Sequence, residues 1–235
     1  FTFIIISGFL DYNNTLCAIY GIRIPMKNIL CYGDSNTWGY IPGGKGRYEY
    51  AVRWTGAAQR LLGDGYRIIE EGLNGRTTVF DSPFDGSVLN GKSHLMCCLM
   101  SHAPLDAVVI MLGTNDLMHS HTAWEASRGC ITLSRMVMNG ALHFNAHTPR
   151  LLLVSPIHIG RAIAETDQSP LSVSGYEESL RFAPLYEQAA ARIGIDFLDA
   201  AKYAEPSPVD NEHMDAEGHA ALAAAIADKL KTMLG

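Results

Sequence analysis

At 235 residues, 48% of them hydrophobic and 18% charged, the chain has the size and apolar content of one globular domain that needs neither disulfides nor a metal to build its core. Its formal charge of −6, with no basic cluster, argues against nucleic acid or an anionic membrane as a main partner. Five cysteines are an odd number without metal-type spacing. Cys97 and Cys98 are adjacent, Cys31 sits in an apolar run, and Cys17 and Cys130 are isolated, so they read as buried free thiols of a reducing, cytoplasmic protein.

Phe1 to Leu10 is apolar but too short to span a bilayer, and no basic residue precedes it. Residues 1–25 read as an N-terminal extension of unclear role, dispensable for catalysis, and residues 26–235 as the domain proper. Met26-Lys27-Asn28 leads straight into the first strand, expected over 28–33. That apolar run stops in Gly33-Asp34-Ser35, the shape of a turn that can present a serine hydroxyl and its backbone N–H at a sheet edge. An ordinary Asp-Ser turn has the same letters.

Gly39 to Gly46 nearly matches a phosphate-binding loop, but Gly46 replaces the hydroxyl residue that would hold magnesium, so a surface loop is expected. Residues 52–62 have helical spacing and end in Gly63 and Gly65; a second strand, 66–70, runs into Gly72-Leu73-Asn74-Gly75-Arg76-Thr77. A helix over 92–102 precedes the continuous apolar run 106–112, which reads as a fully buried parallel strand ending in Gly113-Thr114-Asn115-Asp116. Thr122 to Glu125 forms a capping box opening a helix to about Phe144. A fourth strand is expected at 150–154, a loop at 156–175, and a helix at 176–193 interrupted by Pro184. A short strand at 195–198 and a helix capped by Asp215 complete the chain.

Strands alternating with helices predict an α/β fold, a flavodoxin-like three-layer sandwich whose five-stranded parallel sheet has the order 2-1-3-4-5. Ligands in such sheets sit beyond the strand carboxyl ends, where the polar stretches fall.

An ester-cleaving serine needs a base, an acid to orient it and donors for the oxyanion. Of nine histidines, His94, His102, His143 and His147 fall in or beside helices. His119 and His121 follow strand three and stay open as candidates, His158 lies in a loop, and His219 reads as a surface residue of the last helix. His213 stands three residues after Asp210, close enough for the carboxylate to reach Nδ1, although turn and cap chemistry is the commoner cause of that spacing. The Ser35 N–H, a glycine N–H at Gly75 and the neutral amide of Asn115 could serve as donors.

In order, Gly33-Asp34-Ser35, the glycine-bearing loop 72–77, Gly113-Thr114-Asn115-Asp116 and Asp210-x-x-His213 resemble the four motif blocks of the SGNH (GDSL-type) hydrolases, over residues 27–235. GDSNTWG, VRWTG, EEGLNGRTT and VVIMLGTNDL are similar to the bacterial arylesterase and acyltransferase branch. The resemblance implies Ser35 as nucleophile, His213 as base, Asp210 as its orienter, and Ser35, Gly75 and Asn115 as the oxyanion hole. It also implies a small-molecule ester substrate with a short acyl group, no metal or organic cofactor, acyl transfer to alcohols, and a homo-oligomer. Glu212 adds an acid beside the pair that could raise the histidine pKa.

Trp38, Tyr40, the 79–91 loop and the 156–175 segment are candidate substrate-binding walls, with packing an equal explanation for the two aromatics. Carbohydrate O-acetylesterase, lysophospholipase and thioesterase activities use the same constellation. A noncatalytic binding module on this fold is the rival from another class, and the intact set of polar groups argues against it.

Overall fold

A computed structural model describes residues 26–83, 85–166 and 173–235; the extension 1–25, with Cys17, lies outside them. Five strands, β1 (Lys27–Gly33), β2 (Tyr66–Gly72), β3 (Ala107–Met111), β4 (Arg150–Ser155) and β5 (Asp196–Asp199), pair in parallel in the order β2-β1-β3-β4-β5. This is the expected α/β topology.

The side-chain period of two distributes each central strand to both faces. Leu30 and Tyr32 of β1, with Val108 and Ile110 of β3, enter one core; Ile29, Cys31, Ala107, Val109 and Met111 enter the other. The first core is closed by α3 (Gly91–His102), α5 (Ala123–Phe144) and α7 (Phe182–Ile193). The second is closed by α2 (Trp54–Leu62) and α8 (Ala216–Leu234). With helices on both faces, β3 is buried throughout, which is why its sequence is an unbroken apolar run.

Two short helices were not legible as such: α1 (Ser35–Trp38) and α4 (Thr114–Met118) follow directly on the ends of β1 and β3. A 3₁₀ turn at Arg161–Glu165 lies inside the expected loop 156–175, and α6 (Val173–Ser179) begins at the end of that loop, just before the expected helix start. The helix expected over 176–193 is two helices. The break falls at Leu180-Arg181, and Pro184 sits in the first turn of α7, where its missing N–H costs no intrahelical bond. Thr122 and Glu125 form the expected capping box, and Asp215 accepts from the Gly218 N–H at the start of α8.

Gly33 and Gly72 are register partners at the carboxyl ends of β1 and β2. A Cβ on Gly33 would lie 2.1 Å from Thr37 Oγ1, and one on Gly72 2.2 Å from the Trp38 backbone nitrogen. Two adjacent glycines therefore let α1 fold back against the sheet end. The cysteine expectation holds for Cys31 and Cys130, which are free and buried. Cys97 and Cys98 correct it: these free thiols are exposed and half-buried, respectively, because α3 has only one face in the core.

Candidate active site

Asp34 caps α1 by accepting the Asn36 N–H at 3.0 Å, which leaves Ser35 as the first helical residue, buried at the sheet's carboxyl edge. Across the chain, the loop before α8 winds around Asp210. Its Oδ1 accepts the backbone N–H groups of Glu212 (3.1 Å) and His213 (3.0 Å), which brings Oδ2 to 2.9 Å from His213 Nδ1. A carboxylate can only accept, so Nδ1 carries the proton and Nε2 presents a lone pair. Nε2 lies 3.0 Å from Ser35 Oγ. Ser35, His213 and Asp210 are thus brought together in series, with all three buried.

Asn36 staples the two segments. Its Oδ1 accepts the Met214 N–H at 3.0 Å and its Nδ2 donates to the Glu212 carbonyl at 3.4 Å. The glycine loop that resembled a phosphate loop is closed by an antiparallel bridge between Tyr40 and Arg47, and Gly43 N–H donates to Asp210 Oδ2 at 3.2 Å. Tyr40 lays its ring 4.3 Å from that of His213, at 35°. Trp38 is half-buried, 6.5 Å from the Tyr40 ring, with the Arg47 guanidinium 4.8 Å above it. Tyr40 therefore meets His213 directly, whereas Trp38 packs beside Tyr40.

Burial pulls the His213 pKa down, but the Asp210 hydrogen bond and the charges of Glu212, Asp210 and Asp34 outweigh it and leave it above the ordinary histidine value. Burial pushes Asp210 up, and its bonds from the His213 side chain and backbone reverse this, holding it below the usual carboxylate range. Asp34 is pushed up to about 6 by burial, against the Asn36 N–H and the charges of His213 and Arg76.

The other two blocks meet at the ends of β2 and β3. Gly75 has a φ of 77°, a left-handed turn position suited to glycine. Asn115 Nδ2 donates to the carbonyl of the next residue, Arg76, at 3.2 Å. Asp116, fully buried, accepts from Thr78 through both the backbone N–H (3.0 Å) and the hydroxyl. Burial pushes its pKa up to about 7 in spite of those bonds.

His94 and His147 are exposed, His102 Nε2 lies 2.8 Å from Glu71, and His121 stacks on Phe80 with ring centroids 3.6 Å apart. His219 corrects the expectation of a surface residue: it is wholly buried, and its Nδ1 accepts the Trp54 N–H at 3.2 Å. Sequence reasoning missed Asn36, Gly43, Arg76 and Asp116 as parts of the site. Asn36, Arg76 and Asp116 sit inside or beside the motif blocks, but Gly43 had no signal. A surface cleft of about 460 Å³ beside β5 and α8, lined by Phe197, Lys202, Tyr203 and Lys229, contains none of the site residues.

A parallel sheet in this order, with a serine–histidine–aspartate series at its carboxyl edge, defines a class of α/β acylhydrolases. The chain belongs to the GDSL-like lipase/acylhydrolase family, whose model matches residues 31–221, and is accordingly a carboxylic ester hydrolase of that family. Among solved structures it is similar to Est24, a carbohydrate acetylesterase from Sinorhizobium meliloti (37% identity, TM-score 0.79, covering 88% of this chain and 99% of that one). It is also similar to the aryl esterase of M. smegmatis (34% identity, TM-score 0.80, 88% and 100%). A member of the lipolytic G-D-S-L family from Veillonella parvula shares the fold at 14% identity (TM-score 0.65, 88% and 100%). Comparison with curated proteins gave no match. Among the described residues, no helix is long and apolar enough to cross a membrane.

Proposed function

We propose that the protein hydrolyses short-chain aryl and alkyl carboxylic esters through an acyl-enzyme on Ser35. The observation that carries this reading is the unbroken series from Ser35 Oγ through His213 to Asp210. Nε2 takes the Ser35 proton as Oγ adds to the ester carbonyl, and Asp210 holds the tautomer and offsets the imidazolium charge. The new alkoxide oxygen accepts from the Ser35 N–H, which has no intrahelical acceptor, from the Gly75 N–H and from Asn115 Nδ2, whose bond to Arg76 occupies one of its two protons. Collapse breaks the ester C–O bond, and the leaving alcohol takes the proton from Nε2. Water, deprotonated by the same nitrogen, then attacks the acyl carbon and releases the acid and Ser35.

The test is labelling with a fluorophosphonate followed by mass mapping, expected on Ser35, together with turnover of nitrophenyl esters of rising acyl length, expected to fall beyond short chains. Ser35→Ala should lower turnover by about 10³-fold or more. Near-normal activity in that variant, or label on another residue, would sink the reading. A second reading, removal of acetyl groups from carbohydrates, is favoured by the similarity to Est24. Acetylated sugars and nitrophenyl acetate assayed side by side separate the two by kcat/KM. Two expectations stand with this proposal: primary alcohols compete with water for the acyl group, read as new ester against free acid, and the protein is a homo-oligomer, read by light scattering.

A further inference from the structure

Arg76 is 4% exposed, and among the described residues no carboxylate lies at ion-pair distance from it. Its Nη1 donates to the Gly33 carbonyl at 2.8 Å and to the Glu71 carbonyl, its guanidinium lies 4.0 Å over the Tyr32 ring, and its Nε is buried with no hydrogen-bond partner. Burying a cation with backbone oxygens and a ring face as its main partners costs stability. A fold that keeps such a group at the carboxyl edge of its sheet gains something else from it.

The contacts show what that is. Gly33, which Arg76 grips, immediately precedes the Asp34-Ser35 turn; Gly75 is its covalent neighbour; and the Arg76 carbonyl accepts from Asn115 Nδ2. One residue thus touches all three segments that carry the donors assigned above. Its charge is also felt on the Ser35 side of the site, where it draws the Asp34 carboxyl down against burial.

We propose that Arg76 is a positioning residue for ester cleavage, a buried guanidinium that locks the Ser35 turn, the Gly75 loop and the Asn115 amide into one oxyanion-binding frame. The proposal rests on the assignment of Ser35, Gly75 and Asn115 made above. Oxyanion donors act only when their hydrogens meet the oxygen at transition-state distance, so a small slip between segments lowers turnover while leaving ground-state binding intact. A planar guanidinium held by two carbonyls at Nη1 and laid flat over the Tyr32 ring resists that slip better than a lysine's ammonium on a flexible stem, which cannot stack in the same way.

The experiment compares wild type, Arg76→Lys and Arg76→Met by kcat and KM on nitrophenyl acetate, by inhibition with a trifluoromethyl ketone that forms a tetrahedral adduct, and by thermal melting. Active sites are counted by fluorophosphonate titration. The expected result is a kcat loss of about 10- to 100-fold per titrated site in Arg76→Met, little change in KM, a matching loss of ketone affinity, and partial recovery in Arg76→Lys. Should Arg76→Met not fold, Arg76→Lys carries the test, with lowered kcat and ketone affinity at unchanged KM as the supporting result. Wild-type kcat and ketone affinity in the folded variants, whatever their melting temperatures, overturn the proposal alone. Failure of the probe to label Ser35 in the wild type overturns the underlying assignment as well.

Discussion

His213 Nε2 lies 3.0 Å from Ser35 Oγ although 178 positions separate the two residues. The joint is made by their neighbour Asn36, whose amide bonds both the Met214 N–H and the Glu212 carbonyl. Asn36→Ala removes both bonds and takes from the buried Met214 N–H its acceptor, at about 1–3 kcal/mol for the lost partner. We expect a lower melting temperature and a kcat reduced by roughly 10-fold or more, since a slip of about 1 Å at the serine–histidine contact carries a penalty of up to about 10². A variant with wild-type kcat would mean that the loop before α8 holds its place without the staple.

Glu212→Gln tests the electrostatics of the base. The Glu212 charge raises the His213 pKa, and only the neutral imidazole can take the serine proton. Activity should therefore rise with pH through a value above that of an ordinary histidine, and the variant should move this acid limb to lower pH. Below neutrality the variant should lose a smaller share of its maximal kcat/KM than wild type. An acid limb at the same pH in both proteins would show that Glu212 does not reach the base.

How far the sequence foretold this site depends on where each contact comes from. The parallel order follows from the alternation of apolar strands and helices, whereas the serine, histidine and aspartate stand in letters that ordinary turns share and became legible only through the order of four motif blocks along the chain. The supporting contacts were illegible for a physical reason. Gly43 acts through its backbone N–H, which no side chain reports, and Arg76 looks like an exposed loop residue until the ends of β1 and β2 enclose it. His219 was misread because helical spacing places a residue on a face, but only the docking of α2 against α8 shows that its face is covered.

Gly72→Ala should be among the most damaging single changes outside the reacting groups. The added methyl would meet the backbone of Thr37 and Trp38 at 2.2–2.6 Å, and backbone cannot rotate aside. Overpacking of this kind costs about 1–3 kcal/mol or more, and relief by moving α1 would displace Ser35. Gly65→Ala, where nothing lies within 4 Å of the new carbon, is the control and should be nearly neutral in activity. Equal activity in the two variants would contradict the close approach of α1 to β2.

The last prediction concerns acid stability. His219 is buried with Nδ1 accepting the Trp54 N–H, the first helical N–H of α2, which begins after Arg53 without a side-chain cap. Burial lowers its pKa to about 4; Asp215 opposes the shift, and the charges of His213 and Arg53 add to it. A folded pKa of about 4, against 6.5 for the free side chain, means that the unfolded chain takes up the proton first. The stability linked to His219 is therefore full above about pH 6.5 and is lost as pH falls toward 4, by up to about 3 kcal/mol for a shift of this size. His219→Gln offers an amide oxygen to the Trp54 N–H but cannot titrate. Urea unfolding at pH 7, 5.5 and 4.5 should show the wild type's stability falling toward, or below, that of the variant as pH drops. The groups common to both proteins cancel in the comparison. A wild type–variant difference that stays constant over that range would mean that His219 takes up its proton in the folded protein at the same pH as in the unfolded chain, and that burial and its bond to Trp54 do not hold it neutral.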